Sequence, residues 1–534
     1  SFSPVGEKFA GGAYIEPLRD YWDHRLERAF APGTDWPQQH GPTLTGSAVD
    51  CRQELVDDIS QARLVWIADL PIPGGRGGIP RSPFGFFPIN NSGLGATQYS
   101  APIVANGKVY LALPYVDEKL LASSDKVSDH PQVIRGMDPR ALAHELKLFR
   151  DSLICFDAQT GRTLWMFQDP RHSELLGHSK SGRGLTAVYH NGKVIFRGQH
   201  ALYAVDAETG KLLWQNDGVK APKGDDSSYN FAESQAWSTD HSPVLIDGVL
   251  VVRINDTPSG PRNQQATQAK HTSLLGLDPE SGRLLWRARN VTGENAIAIP
   301  VVLGGKTYIV AAYNGDVAVA ERLQTARPEE IGMLSLIDPK TGQIVWQEPV
   351  VGPNPLYPLV WNDIVALNVE RERIQQGPKG KKEVDSTLGA FRLSVTGPEP
   401  LWRAAGVDYP SGRTTPIVHH GVLLVDSRET GFQAIDAASG KVLGKFPHIY
   451  ELAGGSHNWT WIVASNGRAF VSSGDRLLMF RVDNGRFEKM PGELQVDLAS
   501  GYICPIRPAL ADGRLFVRTG DGLACYDLRK PMNQ

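Results

Sequence analysis

The stretch LYAVDAETGKLLW, residues 202–214, decides the fold of this chain. Apolar runs on both sides of Asp206-x-x-Thr209-Gly210 predict two antiparallel strands joined by a tight turn. The Asp206 carboxylate can accept hydrogen bonds from the N–H groups of the turn, and Gly210 tolerates a positive φ. Trp214 ends the unit, and its large apolar ring suits packing between neighbouring units.

The same pattern recurs along the chain. Clear copies are LICFDAQTGRTLW ending at Trp165, LLGLDPESGRLLW ending at Trp286 and LSLIDPKTGQIVW ending at Trp346, whereas FQAIDAASGKVLG has Gly444 in place of Trp and weaker copies contain Trp402, Asp483 and Asp527. The Asp residues recur about every 45 residues where no insertion intervenes, which is typical of propeller blades. Eight copies predict an all-β, eight-bladed β-propeller with short helical insertions.

A second hairpin precedes each copy and supplies the other two strands of the blade. TAVYHNGKVIFRG (186–198) and TPIVHHGVLLVDS (415–427) are examples, each a strand, a turn ending in Gly and a strand. His419 and His420 lie on the second of these turns, and we expect both on the surface.

The two ends of the chain complement each other. Residues 62–70 (ARLVWIADL) resemble the closing strand of a blade without its preceding hairpin, while the last copy lacks a closing strand. We expect Leu64–Leu70 to complete the last blade, because this removes an open sheet edge. The predicted domains are an N-terminal extension, 1–60, with one amphipathic helix at 17–30, and a propeller, 61–534, whose last blade is completed by residues 61–71.

Composition excludes several classes of protein. The 534 residues carry a formal charge of −3, which argues against a nucleic-acid partner, and no apolar run is long enough for a membrane span. The four cysteines lack the spacing of a zinc ribbon or c-type haem, although Cys51 and Cys504 could be bridged. A chain that begins at Ser1 without a signal peptide favours a processed protein, periplasmic or secreted.

The loop that enters the first strand of each blade and the loop that leaves the second emerge on one face. Long insertions and basic residues concentrate there, so we predict a cationic funnel for an anionic ligand, although Asp240 and Asp426 could neutralise some of these cations. The predicted ligand-binding residues are Arg183, Arg197, Trp237, Asn255, Asp256, Asn314, Arg413, Arg428, Asn458, Trp459 and Arg507.

Three classes of function remain open from these residues. The funnel could bind a small polyacid, or it could belong to an enzyme that degrades acidic polysaccharide, such as a lyase. A lyase needs a cation beside the uronate carboxylate and a group that moves a proton, for which the candidates are His200, His241, His457 and Tyr502. A non-catalytic propeller that docks envelope proteins is the third. The sequence identifies no definite metal ligands.

The spacing Asp-Ala-x-Thr-Gly-Lys-x-x-Trp resembles the pyrroloquinoline quinone (PQQ) repeat superfamily, over nearly all of residues 62–527. This resemblance implies the eight-bladed fold and, in the quinoprotein branch, alcohol oxidation with PQQ and calcium; another branch is a non-enzymatic propeller of outer-membrane assembly. Gly454–Trp459 is similar to a family motif whose Asn touches the cofactor, here Asn458, and Arg183–Leu185 resemble a second motif. DWPQQHGP (35–42) resembles a leader found in secreted PQQ-repeat proteins.

This chain departs from the quinoprotein pattern at three places. The family's adjacent-cysteine disulfide would fall within residues 172–183, which contain no Cys. The calcium ligands map only loosely to Asn255, Asp256 and Asn314, and the general-base Asp before the first strand of blade 5 is absent. The resemblance therefore implies a divergent, quinoprotein-like propeller rather than a classical alcohol dehydrogenase.

Overall fold

The Asp-x-x-Thr-Gly turns fold as their sequence predicts. Asp206 Oδ1 accepts hydrogen bonds from the N–H groups of Glu208 and Thr209, at 3.1 and 2.8 Å, and from the Thr209 hydroxyl at 2.8 Å. Gly210 has a φ of 68°, in the left-handed region that favours glycine. The carboxylate thus satisfies the turn's own donors and leaves the flanking strands paired.

The structure, a computed structural model, describes residues 33–69, 100–116, 149–171, 186–198, 200–219, 229–231, 242–255, 272–291, 297–314, 332–351, 358–371, 375–376, 382–383, 386–404, 416–427, 431–447, 449, 461–473, 476–483, 485–496, 507–518 and 522–531. Within these ranges the chain forms eight antiparallel blades of at least four strands each. This confirms the predicted all-β, eight-bladed propeller.

Blades 1 to 4 follow one another in the chain after the first strand, β1 (Arg63–Asp69), which belongs to blade 8. Blade 1 contains β2 (Ile103–Ala105), β3 (Lys108–Val116), β4 (Phe149–Asp157) and β5 (Thr163–Gln168); blade 2 contains β6 (Val188–His190), β7 (Lys193–Arg197), β8 (Leu202–Asp206) and β9 (Leu212–Asn216). After a two-stranded ribbon of β10 (Gly218–Val219) and β11 (Tyr229–Asn230), blade 3 contains β12 (Val244–Ile246), β13 (Val249–Asn255), β14 (Thr272–Leu277) and β15 (Leu284–Arg289). Blade 4 contains β16 (Ile299–Leu303), β17 (Lys306–Asn314), β18 (Gly332–Ile337) and β19 (Ile344–Val351).

Blades 5 to 8 complete the ring. Blade 5 contains β20 (Leu359–Trp361), β21 (Ile364–Arg371), β24 (Ser386–Ser394) and β25 (Gly397–Ala404), with a ribbon of β22 (Gln375–Gln376) and β23 (Lys382–Glu383) inserted. Blade 6 contains β26 (Ile417–His419), β27 (Val422–Ser427), β28 (Gly431–Asp436) and β29 (Val442–Phe446); blade 7 contains β30 (Ile462–Ser465), β31 (Arg468–Ser473), β32 (Arg476–Arg481), β33 (Glu488–Lys489) and β34 (Leu494–Gln495). Blade 8 contains β35 (Ala509–Ala511), β36 (Arg514–Arg518), β37 (Gly522–Asp527) and β1.

Helical structure is almost absent from the part of the chain that the structure describes, where a short 3₁₀ helix at Ile59–Gln61 is the single helical element. The amphipathic helix predicted at 17–30 lies outside the described residues. The domain boundary at residue 60 stays a prediction.

The closing Trp of one blade packs over the turn Gly of the next. A Cβ at Gly210 would lie 2.5 Å from the Trp165 ring, and one at Gly282 would lie 2.6 Å from the Trp214 ring. Trp214 Nε1 donates a hydrogen bond to the Pro279 carbonyl in the same turn, at 3.2 Å. The Asp-x-x-Thr-Gly motif therefore forms a hairpin and also the surface on which the closing Trp of the preceding blade packs.

Blade 6, where Gly444 replaces Trp, fills this interface differently. A Cβ at Gly444 would lie 2.7 Å from the ring of Phe487, which blade 7 supplies. Phe487 also packs against Phe432 and Phe480, with ring centroids 5.2 and 5.4 Å apart. At the interface of blades 6 and 7 the aromatic ring therefore comes from blade 7 instead of blade 6.

The predicted closure of the ring by an N-terminal strand is confirmed. β1 pairs antiparallel with β37, from Arg63 opposite Asp527 to Asp69 opposite Gly522. Trp66 crosses to blade 1, where its Nε1 donates to the Ala158 carbonyl at 3.1 Å and its ring covers Gly161.

Residues 35–51 form an axial plug that the sequence did not predict. The first strands of successive blades contact one another around the axis, and their inner edges bond to this segment. Trp36 exchanges two backbone hydrogen bonds with Val104 of blade 1, both 2.9 Å. The other bonds run from Tyr189 N–H to Pro37 O (2.7 Å), Leu245 N–H to Gln38 Oε1 (2.8 Å), Val418 N–H to Thr45 O (3.0 Å) and Ala464 N–H to Gly46 O (3.2 Å).

We call the end of the blades where first strands begin and second strands end the top face, and the opposite end the bottom face. The plug enters from the bottom, where Asn106 N–H donates to Asp35 Oδ1 at 3.2 Å. It rises to His40, which contacts Arg507 near the top, and returns to the bottom, where Cys51 N–H donates to Asn466 Oδ1 at 2.9 Å. The plug therefore closes the channel from below.

Candidate functional site

In every blade, one residue near the top end of the second strand pairs with an apolar residue of the third strand. In blades 1 to 8 this position holds Ala112, Arg197, Arg253, Ala312, Asn368, Asp426, Ser472 and Arg518. Its three arginines are buried, with 5, 2 and 3% of their surface exposed for Arg197, Arg253 and Arg518. We call these eight residues the upper ring.

Arg197 and Arg253 bring two cations together between blades 2 and 3. Arg197 donates to the Arg253 carbonyl at 2.8 Å and to the Phe231 carbonyl at 3.4 Å, and its guanidinium lies 5.2 Å from the centre of the Phe231 ring. Burial, followed by the charge of Arg253, lowers the pKa of Arg197 to about 9. Burial and the repulsion between two like charges both disfavour the charged form of a guanidinium, which is the direction of this shift.

A fourth buried arginine lies at the axis, against the top of the plug. Arg507, which is 5% exposed, contacts His40 Nδ1 and donates weakly to the Pro416 carbonyl at 3.5 Å. Burial and the charge of Arg507 hold the pKa of His40 well below its usual range, so this imidazole is neutral. Beside the pair is a cavity of about 10 Å³ with mainly apolar walls, including Leu44 and Ile299. This is the space of about one water molecule.

His200 lies at the top between blades 1 and 2, beside two buried carboxylates. Its backbone N–H donates to Asp151 Oδ2 at 2.9 Å, and the Tyr203 hydroxyl lies 2.9 Å from that oxygen and 2.5 Å from Asp169 Oδ2. Burial raises the pKa of Asp169, but hydrogen bonds from Arg171 and Tyr203 lower it more, so the net shift is downward. His200 Nε2 is buried and makes no hydrogen bond with any described residue.

The structure places only part of the predicted site. Asn255 and Asn314 end β13 and β17 at the top, as predicted, but their side chains are outside the description. No described hydrogen bond or ion pair joins Arg197, His200 and Arg507 to one another. The predicted residues that lie outside the described ranges are Arg183, Trp237, His241, Asp256, Arg413, Arg428, His457, Asn458, Trp459 and Tyr502.

Sequence reasoning missed several residues that the fold brings to this face. Arg518 could have been found, because it occupies the same repeat position as Arg197 and Arg253. Asp151 and Asp169 carry no motif and flank ordinary strands, so their pairing through Tyr203 appears only once blades 1 and 2 are packed together.

The described residues do not fit a calcium site. Among them a single group of three potential metal ligands occurs, Asp50, His419 and His420, and it lies on the bottom face. His419 Nε2 accepts the Gly467 N–H at 3.1 Å, so Nδ1 carries the proton and faces Ser47 Oγ at 2.7 Å. With both ring nitrogens engaged, this set lacks the oxygen ligands that calcium requires.

The expected surface position of His419 is wrong. The side chain is fully buried, because the plug covers the turn that would otherwise face solvent. His420 is exposed as expected. Cys51 is a free thiol that donates to the Gln53 carbonyl at 2.9 Å, and Cys504 lies outside the described residues.

Comparison with known proteins agrees with the propeller fold. The outer membrane protein assembly factor BamB of Yersinia pestis is 23% identical over 315 residues, which cover 54% of this chain and 70% of that protein. The quinohemoprotein alcohol dehydrogenase of Comamonas testosteroni matches at 14% identity with a TM-score of 0.50, over 98% of this chain and 85% of that one. BamB from Moraxella catarrhalis matches at 14% identity with a TM-score of 0.35, over 72% and 80%. At 14% identity the Comamonas testosteroni structure supports the fold alone.

None of the described helices has the length and apolar character needed to cross a membrane. The family model described as outer membrane protein assembly factor BamB matches residues 150–445, more than half of the chain. This protein therefore belongs to that PQQ-repeat propeller family and is divergent from the classical alcohol dehydrogenases that share its fold.

Proposed function

We propose that this protein is an extracytoplasmic propeller that binds a small organic anion, such as a PQQ-like polycarboxylate or an acidic sugar, at its top face. The observation that carries the proposal is the set of buried arginines at that face. Arg197, Arg253 and Arg518 share the upper ring, and Arg507 lies at the axis. Guanidinium groups in a poorly solvated setting bind carboxylates through paired, charge-assisted hydrogen bonds.

The plug supports placing the ligand at the top. It bonds to the inner edges of first strands in blades 1, 2, 3, 6 and 7, so a ligand approaching from the bottom would have to displace it. The axial cavity lined by Arg507 and His40 is too small for an organic anion. We therefore place the ligand at the top face, above Arg507; Arg183 and Arg413 are the predicted ligand-binding residues that we choose for the test. An extracytoplasmic location is consistent with the outer-membrane role named for the Yersinia pestis relative.

The test is calorimetric titration with PQQ, benzene-1,3,5-tricarboxylate and an oligo-uronate, each with and without calcium. We expect binding by at least one of these anions without a requirement for calcium. The double variant R183A/R413A should bind that anion at least 10-fold more weakly, because a hydrogen bond between charged groups contributes about 1.5–3 kcal/mol.

The matched control removes two arginines from the bottom face. Arg392 and Arg481 lie near the bottom of blades 5 and 7, and each faces a carboxylate there. We expect R392A/R481A to bind within about twofold of the natural protein, since exposed ion pairs contribute little. Equal affinity of R183A/R413A and the natural protein would refute the proposed site.

The same titration separates binding from catalysis. A lyase would convert the oligo-uronate into unsaturated products that absorb in the ultraviolet. That activity should then fall with His200→Ala, the one predicted proton-transfer residue that the structure describes. Stable binding without new absorbance supports the binding protein that we propose.

Docking of another envelope protein is a second candidate. The observation that favours it is a series of exposed aliphatic side chains on the outer strands of blades 1 to 4, Leu164, Leu212, Leu213, Leu285, Ile344 and Val345. An extended segment of an envelope protein could pair with one of these outer edges through its backbone. Chemical cross-linking of this protein in cell envelopes, compared with the variant L213K/L285K, tests the docking. We expect the variant to form fewer cross-links to envelope proteins, and unchanged cross-links would contradict docking at these strands.

A further inference from the structure

The returning half of the plug is held by blades 6 and 7. Val418 N–H donates to Thr45 O at 3.0 Å, and the backbone of Ala464 bonds on both sides, to Gly46 O at 3.2 Å and from Ala48 N–H at 2.8 Å. The Asn466 side chain then holds the backbone of Cys51, accepting from its N–H at 2.9 Å and donating to its carbonyl at 2.8 Å.

His419 belongs to blade 6 and contacts both the plug and blade 7. It ends β26 of blade 6 and is fully buried. Its Nδ1 lies 2.7 Å from Ser47 Oγ in the plug, and its Nε2 lies 3.1 Å from the Gly467 N–H of blade 7. A backbone N–H can only donate, so Nε2 must keep its lone pair and the neutral ring carries its proton on Nδ1.

Protonation would break this arrangement. A proton on Nε2 would place two N–H groups against each other at the Gly467 contact. It would also put a positive charge in a buried site, with the His420 ring stacked at a centroid distance of 3.9 Å. Two carboxylates are also nearby. That of Asp50 lies 3.4 Å from His420 Nε2 and within 4.8 Å of a His419 ring nitrogen, and it favours protonation of His419 less than burial opposes it. Asp483 of blade 7 lies beside Gly467.

We propose that His419 is an acid-sensitive latch for the axial plug, and that protonation of its Nε2 releases residues 45–51 from blades 6 and 7. Release would open the central channel from the bottom, the end that the plug closes at neutral pH. Burial, followed by the charge of His420, lowers the pKa of His419 to about 4, in the direction that the geometry requires.

The test is hydrogen exchange of the full chain between pH 6.5 and 4.5, corrected for the intrinsic pH dependence of exchange. A latch with a pKa of about 4 when closed and about 6.5 when open predicts that protection of residues 45–51 falls roughly 40-fold over this range. Peptides from β7 and β8 of blade 2 serve as the reference. A fall of the same size in those peptides would mean global unfolding and would overturn the proposal.

Three variants make the test specific. His419→Gln keeps a donor and an acceptor but cannot titrate, so the pH dependence should disappear. His190→Gln is the matched control, because His190 occupies the same position before the turn of blade 2 and bonds to Asn191 rather than to the plug. His420→Gln removes the stacked ring and should leave most of the pH dependence.

Ser47→Ala provides a second route if His419→Gln fails to fold. It removes the acceptor for Nδ1 but leaves the Gly467 contact, so protection should fall at every pH while its pH dependence persists. The latch is refuted if protection of the natural protein stays flat from pH 6.5 to 4.5. It is also refuted if His419→Gln retains the natural slope.

Discussion

Gly161 shows how one residue serves a turn and a blade interface together. Its φ of 71° lies in the left-handed region, and an added Cβ would sit 2.7 Å from the Trp66 ring. Gly485, the corresponding turn residue of blade 7, has a φ of 73° and no atom within 4 Å of that position. Comparing alanine substitutions at Gly161 and Gly485 therefore separates the destabilisation caused by left-handed backbone strain from that caused by overlap with the Trp66 ring.

We expect Gly161→Ala to lower the free energy of unfolding by about 3 kcal/mol, the sum of left-handed strain and overpacking against Trp66. Gly485→Ala should lose only about 1 kcal/mol, because strain alone acts there. Urea unfolding monitored by fluorescence measures both. Equal losses would show that the Trp66 ring moves aside without cost.

At this scale the sequence predicted the roles of Asp206, Gly210 and Trp214 because they act within one turn or on the next blade. It did not predict the burial of His419, since the residue that covers it, Ser47, lies 372 positions away. Asp151 and Asp169 were missed for the same reason, because the Tyr203 hydroxyl that joins them belongs to another blade.

Two elements near the N-terminus, β1 and the plug, hold the blades of the ring together, and the sequence predicted only β1. β1 carries a recognisable Trp and the apolar pattern of a closing strand. The plug bonds mainly through backbone N–H and C=O groups, which every residue except proline possesses in full, so its sequence has no comparable signature. Its Trp-Pro-x-x-x-Gly-Pro segment suggested a family leader but not a position on the axis.

Replacing Trp66 with Ala should cost about 4 kcal/mol and make residues 33–69 more sensitive to protease, since this ring joins blade 8 to blade 1. Trp402→Ala is the control. Trp402 packs in the same way over Gly440 but joins consecutive blades 5 and 6. It should lose comparable stability without exposing the N-terminal residues. Equal cleavage in both variants would contradict a special role for Trp66 in ring closure.

The N-terminal region closes the propeller at two places. β1 completes the sheet of blade 8, and the plug fills the axis. We therefore expect residues 33–69 to stay bound after the chain is cut. A protease site inserted between Gly74 and Gly75 would separate the plug and β1 from the other strands. The fragment should co-elute with the propeller in native buffer and dissociate only in denaturant. Dissociation in native buffer would show that covalent connection, rather than strand pairing, holds the ring closed.

The number of blades, the hairpin of each repeat and the strand that closes the ring were all predictable from the sequence, because they depend on patterns within about 45 residues. The position of residues 35–51 along the axis, the contact of Arg197 with Arg253 between blades and the burial of His419 under the plug became visible in the folded chain alone. These contacts join residues far apart in the chain. Their free energy comes from packing and desolvation, which no local pattern records.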